Sequence, residues 1–120
     1  MRTKTRTKTL YVVAGNINGT EDDALLGKTV EDAATAICGR VIGALAEMGY
    51  TDFDGSFRKV DVMVYIRGGS DSRCVSVSNA RELGLARQSL ASGERIECIA
   101  LRRYNSRNSF AEWKVSEVNV

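Results

Sequence analysis

The stretch VDVMVYIR, residues 60–67, alternates without a break. Val60, Val62, Val64 and Ile66 fall on one side of an extended chain and Asp61, Met63, Tyr65 and Arg67 on the other, the period-two pattern of a strand with one face on a core. Upstream the period changes to 3.6. Val30, Ala33, Ile37, Val41, Leu45 and Met48 make one apolar stripe of a helix that should cover that sheet. Thr29 is its N-cap, Asp32 half of a capping box, and Gly49 its stop. Downstream, residues 68–71 read as a turn, 73–77 as a returning strand, and Asn79 with Glu82 as the caps of a second helix. That helix carries Leu83, Ala86 and Leu90 and ends near Gly93.

Residues 94–103 are apolar on both faces (Ile96, Cys98 and Ala100 against Ile99 and Leu101), which suits a central strand. A turn at 105–108 leads to a last strand at 109–118 with Phe110 and Trp113. At the start, residues 10–14 are apolar and β-prone, then Gly15, Asn16, Asn18 and Gly19 break the run and open a long loop to Lys28 containing acidic Glu21, Asp22 and Asp23. The expectation is one α+β domain over residues 10–120. Its mainly antiparallel sheet has about five strands with two helices, in the order β-α-β-β-α-β-β.

Residues 1–9, in which RTKTRTKT at 2–9 alternates cation and threonine, read as a basic arm that partly extends the first strand. With 17 Lys plus Arg against 15 Asp plus Glu the net charge is +2, but residues 1–8 hold four cations and no acid, leaving 13 basic against 15 acidic groups in the body. The body is therefore weakly acidic, and residues 95–108 stand out with Arg95, Arg102, Arg103 and Arg107 against Glu97 alone. No apolar run approaches the roughly 20 residues of a membrane span and the start lacks a signal-type apolar segment, so a cytoplasmic protein with no membrane partner is expected.

The chain has no histidine, which excludes Ser-His-Asp and Cys-His catalysis and His-containing zinc sites. Cys38, Cys74 and Cys98 form no Cys-x-x-Cys pair and read as small core hydrophobes; no metal or other cofactor is expected. Gly27-Lys28-Thr29 ahead of a helix matches the end of a phosphate-binding P-loop, but Asp22 stands where the first glycine belongs and Glu21 and Asp23 would repel phosphate. Lys28 and the helix start survive as a local anion site. Glu112-Trp113-Lys114 matches half of a PD-(D/E)xK metal nuclease pattern without the partner aspartate.

Two segments carry the stronger signal. In Arg67-Gly68-Gly69-Ser70-Asp71-Ser72-Arg73, glycines free backbone N–H groups to face an anion and an arginine flanks each side. In Arg102-Arg103-Tyr104-Asn105-Ser106-Arg107-Asn108, guanidiniums, a ring and amides suit phosphate and base recognition. The ligand-binding candidates are Arg67, Gly68, Gly69, Ser70, Arg73, Arg102, Arg103, Tyr104, Asn105 and Arg107, forming one pocket if the segments share an end of the sheet or meet across an interface. On the helix, Ala36, Gly39, Gly43 and Ala46 make a second, small-residue stripe read as a self-association surface, since mid-helix glycine costs about 1 kcal/mol.

These residues favour a binding protein over an enzyme, namely a homo-oligomer that takes an anionic, nucleotide-like small ligand. In size and style alone it resembles the small phage counter-defence sponges that sequester signalling nucleotides. Binding to nucleic acid or to an acidic protein surface is the alternative, and a metal nuclease using Glu112 and Lys114 a distant third.

Overall fold

The computed structural model describes residues 8–120. Eight elements follow in the order β1 (Thr9–Ile17), β2 (Thr20–Gly27), α1 (Val30–Glu47), β3 (Val60–Gly68), β4 (Asp71–Val77), α2 (Ala80–Gln88), β5 (Glu94–Arg103) and β6 (Ser109–Asn119). The strands form one antiparallel sheet, β2-β1-β6-β5-β3-β4. The α+β class holds, with six strands rather than five.

The extra strand is β2, which replaces the expected acidic loop. Asn18 (φ 51°) and Gly19 (φ 86°) both adopt the left-handed conformation that a two-residue hairpin turn of the I′ type demands, so the breakers that end β1 also start its partner. Glu21, Asp22 and Asp23 lie on an edge strand, where alternation is not required and charge opposes pairing with another chain. The β3–β4 hairpin turns on Gly69 (φ 65°) and Ser70.

Strand order and direction have the symmetry of a twofold axis normal to the sheet, between β5 and β6. Each hairpin, β1–β2 and β3–β4, sends its outer strand into a capped helix, and the β5–β6 hairpin fills the centre. The caps repeat too: Thr29 Oγ1 accepts from the Asp32 N–H at 3.0 Å and Asn79 Oδ1 from the Glu82 N–H at 2.7 Å. The second helix stops at Gln88, short of Gly93, because Ser89 caps it and its hydroxyl bonds the Ala86 carbonyl at 3.1 Å. Gly93 (φ 84°) instead turns the chain into β5.

Both helices cover the same sheet face. α1 buries Ala33, Ile37, Val41 and Leu45 on Val13, Ile99, Leu101 and Trp113, and α2 adds Leu83 and Ala86 beside Val77. Trp113 is the largest buried side chain. It fits because its partner across the ladder is Gly15, where a Cβ would lie 2.1 Å from the indole Cδ1. The indole N–H donates to Asp22 Oδ2 at 3.0 Å, and Arg40 of α1 grips the same carboxylate through Nε at 2.5 Å and Nη2 at 2.9 Å. One inward acid of the edge strand thus ties helix, edge and central tryptophan together.

One further expectation changes in this frame. Only Cys38 is buried outright; Cys98 is half-buried and Cys74 exposed, because β4 is an edge strand with no helix over its outer side. Burial pushes the Cys38 thiol up to about 11 and the Cys98 thiol up to about 12. In the small-residue stripe, Gly39 and Ala46 are exposed and Ala36 and Gly43 half-buried. A Cβ on Gly39 would meet nothing within 4 Å and one on Gly43 only Arg40 Nη1 at 3.7 Å, so packing within the chain does not require either glycine. Of the basic arm, Lys8 is laddered to Val120 by two 2.8 Å bonds, and residues 1–7 lie outside the described residues.

Candidate functional site

β3 and β5 run antiparallel, with Gly68 opposite Glu94 at one end and Val60 opposite Arg103 at the other. The two arginine segments therefore sit at opposite ends of the sheet, about 26 Å apart at 3.3 Å per residue along β3. Within one chain they do not converge.

At the β3–β4 turn end, loop and helix termini enclose a concave cavity of about 840 Å³. The start of α1 gives Val30, Glu31 and Ala34, and the end of α2 and the following loop give Arg87, Leu90 and residues 91–93. Arg67, Gly69, Glu94, Arg95 and Glu117 close the rim. A recess of about 320 Å³ continues it under Gly68, Asp71, Ser72 and Arg73. The cavity thus joins the first arginine segment to Arg87, Arg95 and the Leu90–Gly93 wall, none of which was a sequence candidate. Arg95 did stand in the basic run 95–108, but Arg87 carried no signal beyond its own charge. Ser70, at the turn, lines neither space.

Charge in the cavity is nearly balanced. Arg73 holds Glu94 through Nε at 3.0 Å and Nη2 at 3.1 Å, and the Ala91 N–H adds a bond at 2.8 Å. Those partners hold the Glu94 carboxyl well below its ordinary 4.5, at about 2, so it stays ionised. Glu94 also covers Gly68, where a Cβ would lie 3.0 Å from its Cγ. The chain's own carboxylate occupies the place an anion was expected to take. Arg67 Nε lies 3.4 Å from Glu97, and Arg95 pairs with Glu117. Among the described residues Arg87 is the one lining arginine without a carboxylate partner.

At the other end the arginines are placed differently. Arg102 Nη2 lies 3.5 Å from Asp61. Arg103 lays its guanidinium on the Phe110 ring, 4.5 Å from the centroid, and donates from Nε to the Tyr50 hydroxyl at 3.2 Å. Tyr104 and Arg107 are exposed, and Asn105 (φ 65°) turns the chain between them.

The helix start at Lys28 proves to be self-occupied. Asp32 accepts from the Lys28 N–H at 3.3 Å, and Glu31 and Asp32 make the first turn acidic, which works against a bound anion there. Glu112 and Lys114 share the sheet face that carries no helix and pair at 3.2 Å, but the adjoining strands place Ala100, Cys98, Asn16 and Ala14 beside them and no carboxylate. Among the described residues no three His, Cys, Asp or Glu side chains gather as metal ligands, and no helix is long and apolar enough to cross a membrane.

No protein family, curated protein or solved structure matches the chain. The cavity offers guanidiniums around an apolar wall, Val30, Ala34 and Leu90, at a volume typical of small-ligand sites.

Proposed function

We propose that the chain is a binding protein for an anionic, nucleotide-like small ligand, held in the cavity between the start of α1, the end of α2 and the β3–β4 turn. The observation that carries this is the cavity itself, where Arg67, Arg87 and Arg95 surround the apolar wall of Val30, Ala34 and Leu90. A planar, partly apolar group packs on that wall, and its phosphate takes the Arg87 guanidinium and the backbone N–H groups of residues 92–93. Because Glu31, Glu94 and Glu117 balance the three arginines, a ligand of one or two negative charges is favoured over a triphosphate.

In this reading the protein captures its ligand and does not convert it, in keeping with a sequence without histidine. A sponge that sequesters a signalling nucleotide, as in phage counter-defence, is the role this chemistry would serve. Self-association through Ala36, Gly39, Gly43 and Ala46 belongs to the same proposal, and Gly39→Arg should abolish any dimer seen by analytical ultracentrifugation.

Isothermal calorimetry of the full chain against cyclic nucleotides, ADP-ribose derivatives and ATP tests the ligand reading. Micromolar binding of a mono- or dianionic member, weaker binding of ATP and a tenfold or greater loss in Arg87→Ala are expected. No heat from any member, or an unchanged Arg87→Ala variant, would sink it.

A further inference from the structure

We infer that the β5–β6 turn end of the sheet is a docking surface for single-stranded nucleic acid. The inference is independent of the cavity, which lies at the far end of β3. Five cations meet here: Arg58, Lys59, Arg102, Arg103 and Arg107. Asp52 pairs with Arg58 at 3.4 Å and Asp61 with Arg102, whereas Lys59, Arg103 and Arg107 have no carboxylate partner among the described residues. One further acid, Asp54, accepts from the Ser56 N–H at 3.0 Å and stays ionised, so the surplus is local and modest.

The loop and the turn that carry these charges also carry exposed aromatic rings. Phe53, in the loop between α1 and β3, is 105% exposed relative to an extended reference, and Tyr104 is 54% exposed. Tyr50 and Phe110 form a second pair, their centroids 5.5 Å apart, and Arg103 contacts both. The chain holds this arrangement at a cost in backbone conformation. Lys59 sits at φ 63°, uncommon for a residue that is not glycine or asparagine, and its carbonyl accepts from the Tyr104 N–H at 3.4 Å, joining the loop before β3 to the turn after β5. Thr51 Oγ1 and Arg102 Nε, two buried polar atoms without a hydrogen-bond partner, belong to this end as well.

Cations that contact phosphates, interleaved with exposed rings on which unpaired bases stack, are the combination used for single strands. A duplex keeps its bases stacked on one another and offers nothing to Phe53 or Tyr104. An acidic peptide would satisfy the cations and leave both rings in water.

Fluorescence anisotropy of the full chain with labelled (dT)20 and (U)20 tests this, beside a 20-bp duplex, between 50 and 200 mM salt. Micromolar binding of the single strands at 50 mM salt is expected, weaker on the duplex. Three phosphate contacts give a log–log salt slope of about −2. Phe53→Ala and Tyr104→Ala should each weaken binding about 5- to 100-fold, from the stacking they remove, and Arg107→Ala should flatten the slope by about 0.7. The two ring variants remove exposed side chains, and their thermal unfolding should match the wild type. Equal affinity for the duplex, no binding up to 100 µM, or wild-type affinity in the Phe53→Ala/Tyr104→Ala double variant would overturn the inference. Arg87→Ala should leave single-strand binding unchanged, which keeps this result separate from the cavity's.

Discussion

The two ends of the sheet hold similar numbers of arginines and use them in opposite ways. At the β3–β4 turn, register decides: Arg67 and Arg73 lie within reach of Glu97 and Glu94, and Arg95 within reach of Glu117, so these three guanidiniums, though not Arg87, are held by the chain's own carboxylates. At the β5–β6 turn, Arg103 is the last residue of β5 and faces Val60, and Arg107 lies in the turn beyond, so among the described residues no neighbouring strand supplies either with an acid. Arginine 103 is held by rings instead. Counting charge along a segment therefore misjudges what a ligand meets. The groove end is nearly neutral and concave; the hairpin end carries a surplus of cations and exposed rings.

A half-buried arginine sets the upper end of the scale. Asp22 and Arg40 are largely withdrawn from water, with side chains 14% and 22% exposed, and Asp22 also receives the Trp113 N–H. Removing one partner strands the other and frees an indole donor over the core. Asp22→Ala should cost about 2 to 3 kcal/mol in urea unfolding at pH 7. The bond from Arg40, assisted by Trp113, holds the Asp22 carboxyl below its ordinary 3.8. A depressed carboxyl stabilises the fold above the unfolded value, and that contribution fades as pH falls through the lower folded value. The difference between wild type and Asp22→Asn should accordingly shrink below about pH 4. An Asp22→Ala midpoint equal to the wild type would place this cluster with the exposed pairs.

Glu94→Gln is the next step down and tests the groove end directly. With Glu94 at about 2 against an ordinary 4.5, its contribution to stability is complete above pH 4.5 and disappears as pH falls towards 2. The glutamine variant should lack that part of the acid-unfolding curve. It should also release Arg73 and remove one negative charge from the cavity, so the ligand found by calorimetry should bind several-fold more tightly. Weaker binding would mean that Glu94 itself contacts the ligand. The same substitution should not alter single-strand binding at the far end.

Much of this fold could be read from residue order, because its central elements carry strong periodicity: 60–67 as β3, the Ile37 and Leu45 stripe as α1, and both N-caps. β2 could not. An edge strand is paired on one side and wet on the other, so Thr20-Glu21-Asp22-Asp23 need not alternate, and only the left-handed pair Asn18-Gly19 marked the hairpin. Cys74 misled for the same reason, since it alternates with Val75 yet points to the side no helix covers. The candidate cavity was half legible. Arg67, Gly68 and Arg73 are near a real cavity, but its other wall, Arg87 to Arg95, reaches them only through the β3–β5 ladder and its bulge between Tyr65 and Ile66. Long-range register of that kind leaves no local trace in composition.

The smallest effects discriminate best between the two ends. Arg73→Ala removes the first of the partners that hold Glu94 low and leaves the Ala91 N–H as the second. The Glu94 carboxyl should then rise towards its ordinary 4.5, visible by side-chain NMR titration, with a slight loss of stability near pH 7 that vanishes in acid because protonated Glu94 has nothing to lose. Arg107→Ala breaks no ion pair among the described residues and should change unfolding by less than about 0.5 kcal/mol, with no dependence on pH. Its only measurable consequence should be on polyanion binding. Equal destabilisation by the two variants, with the same pH dependence, would show that Arg107 has a carboxylate partner in solution, and the contrast between a committed and an uncommitted end would fail.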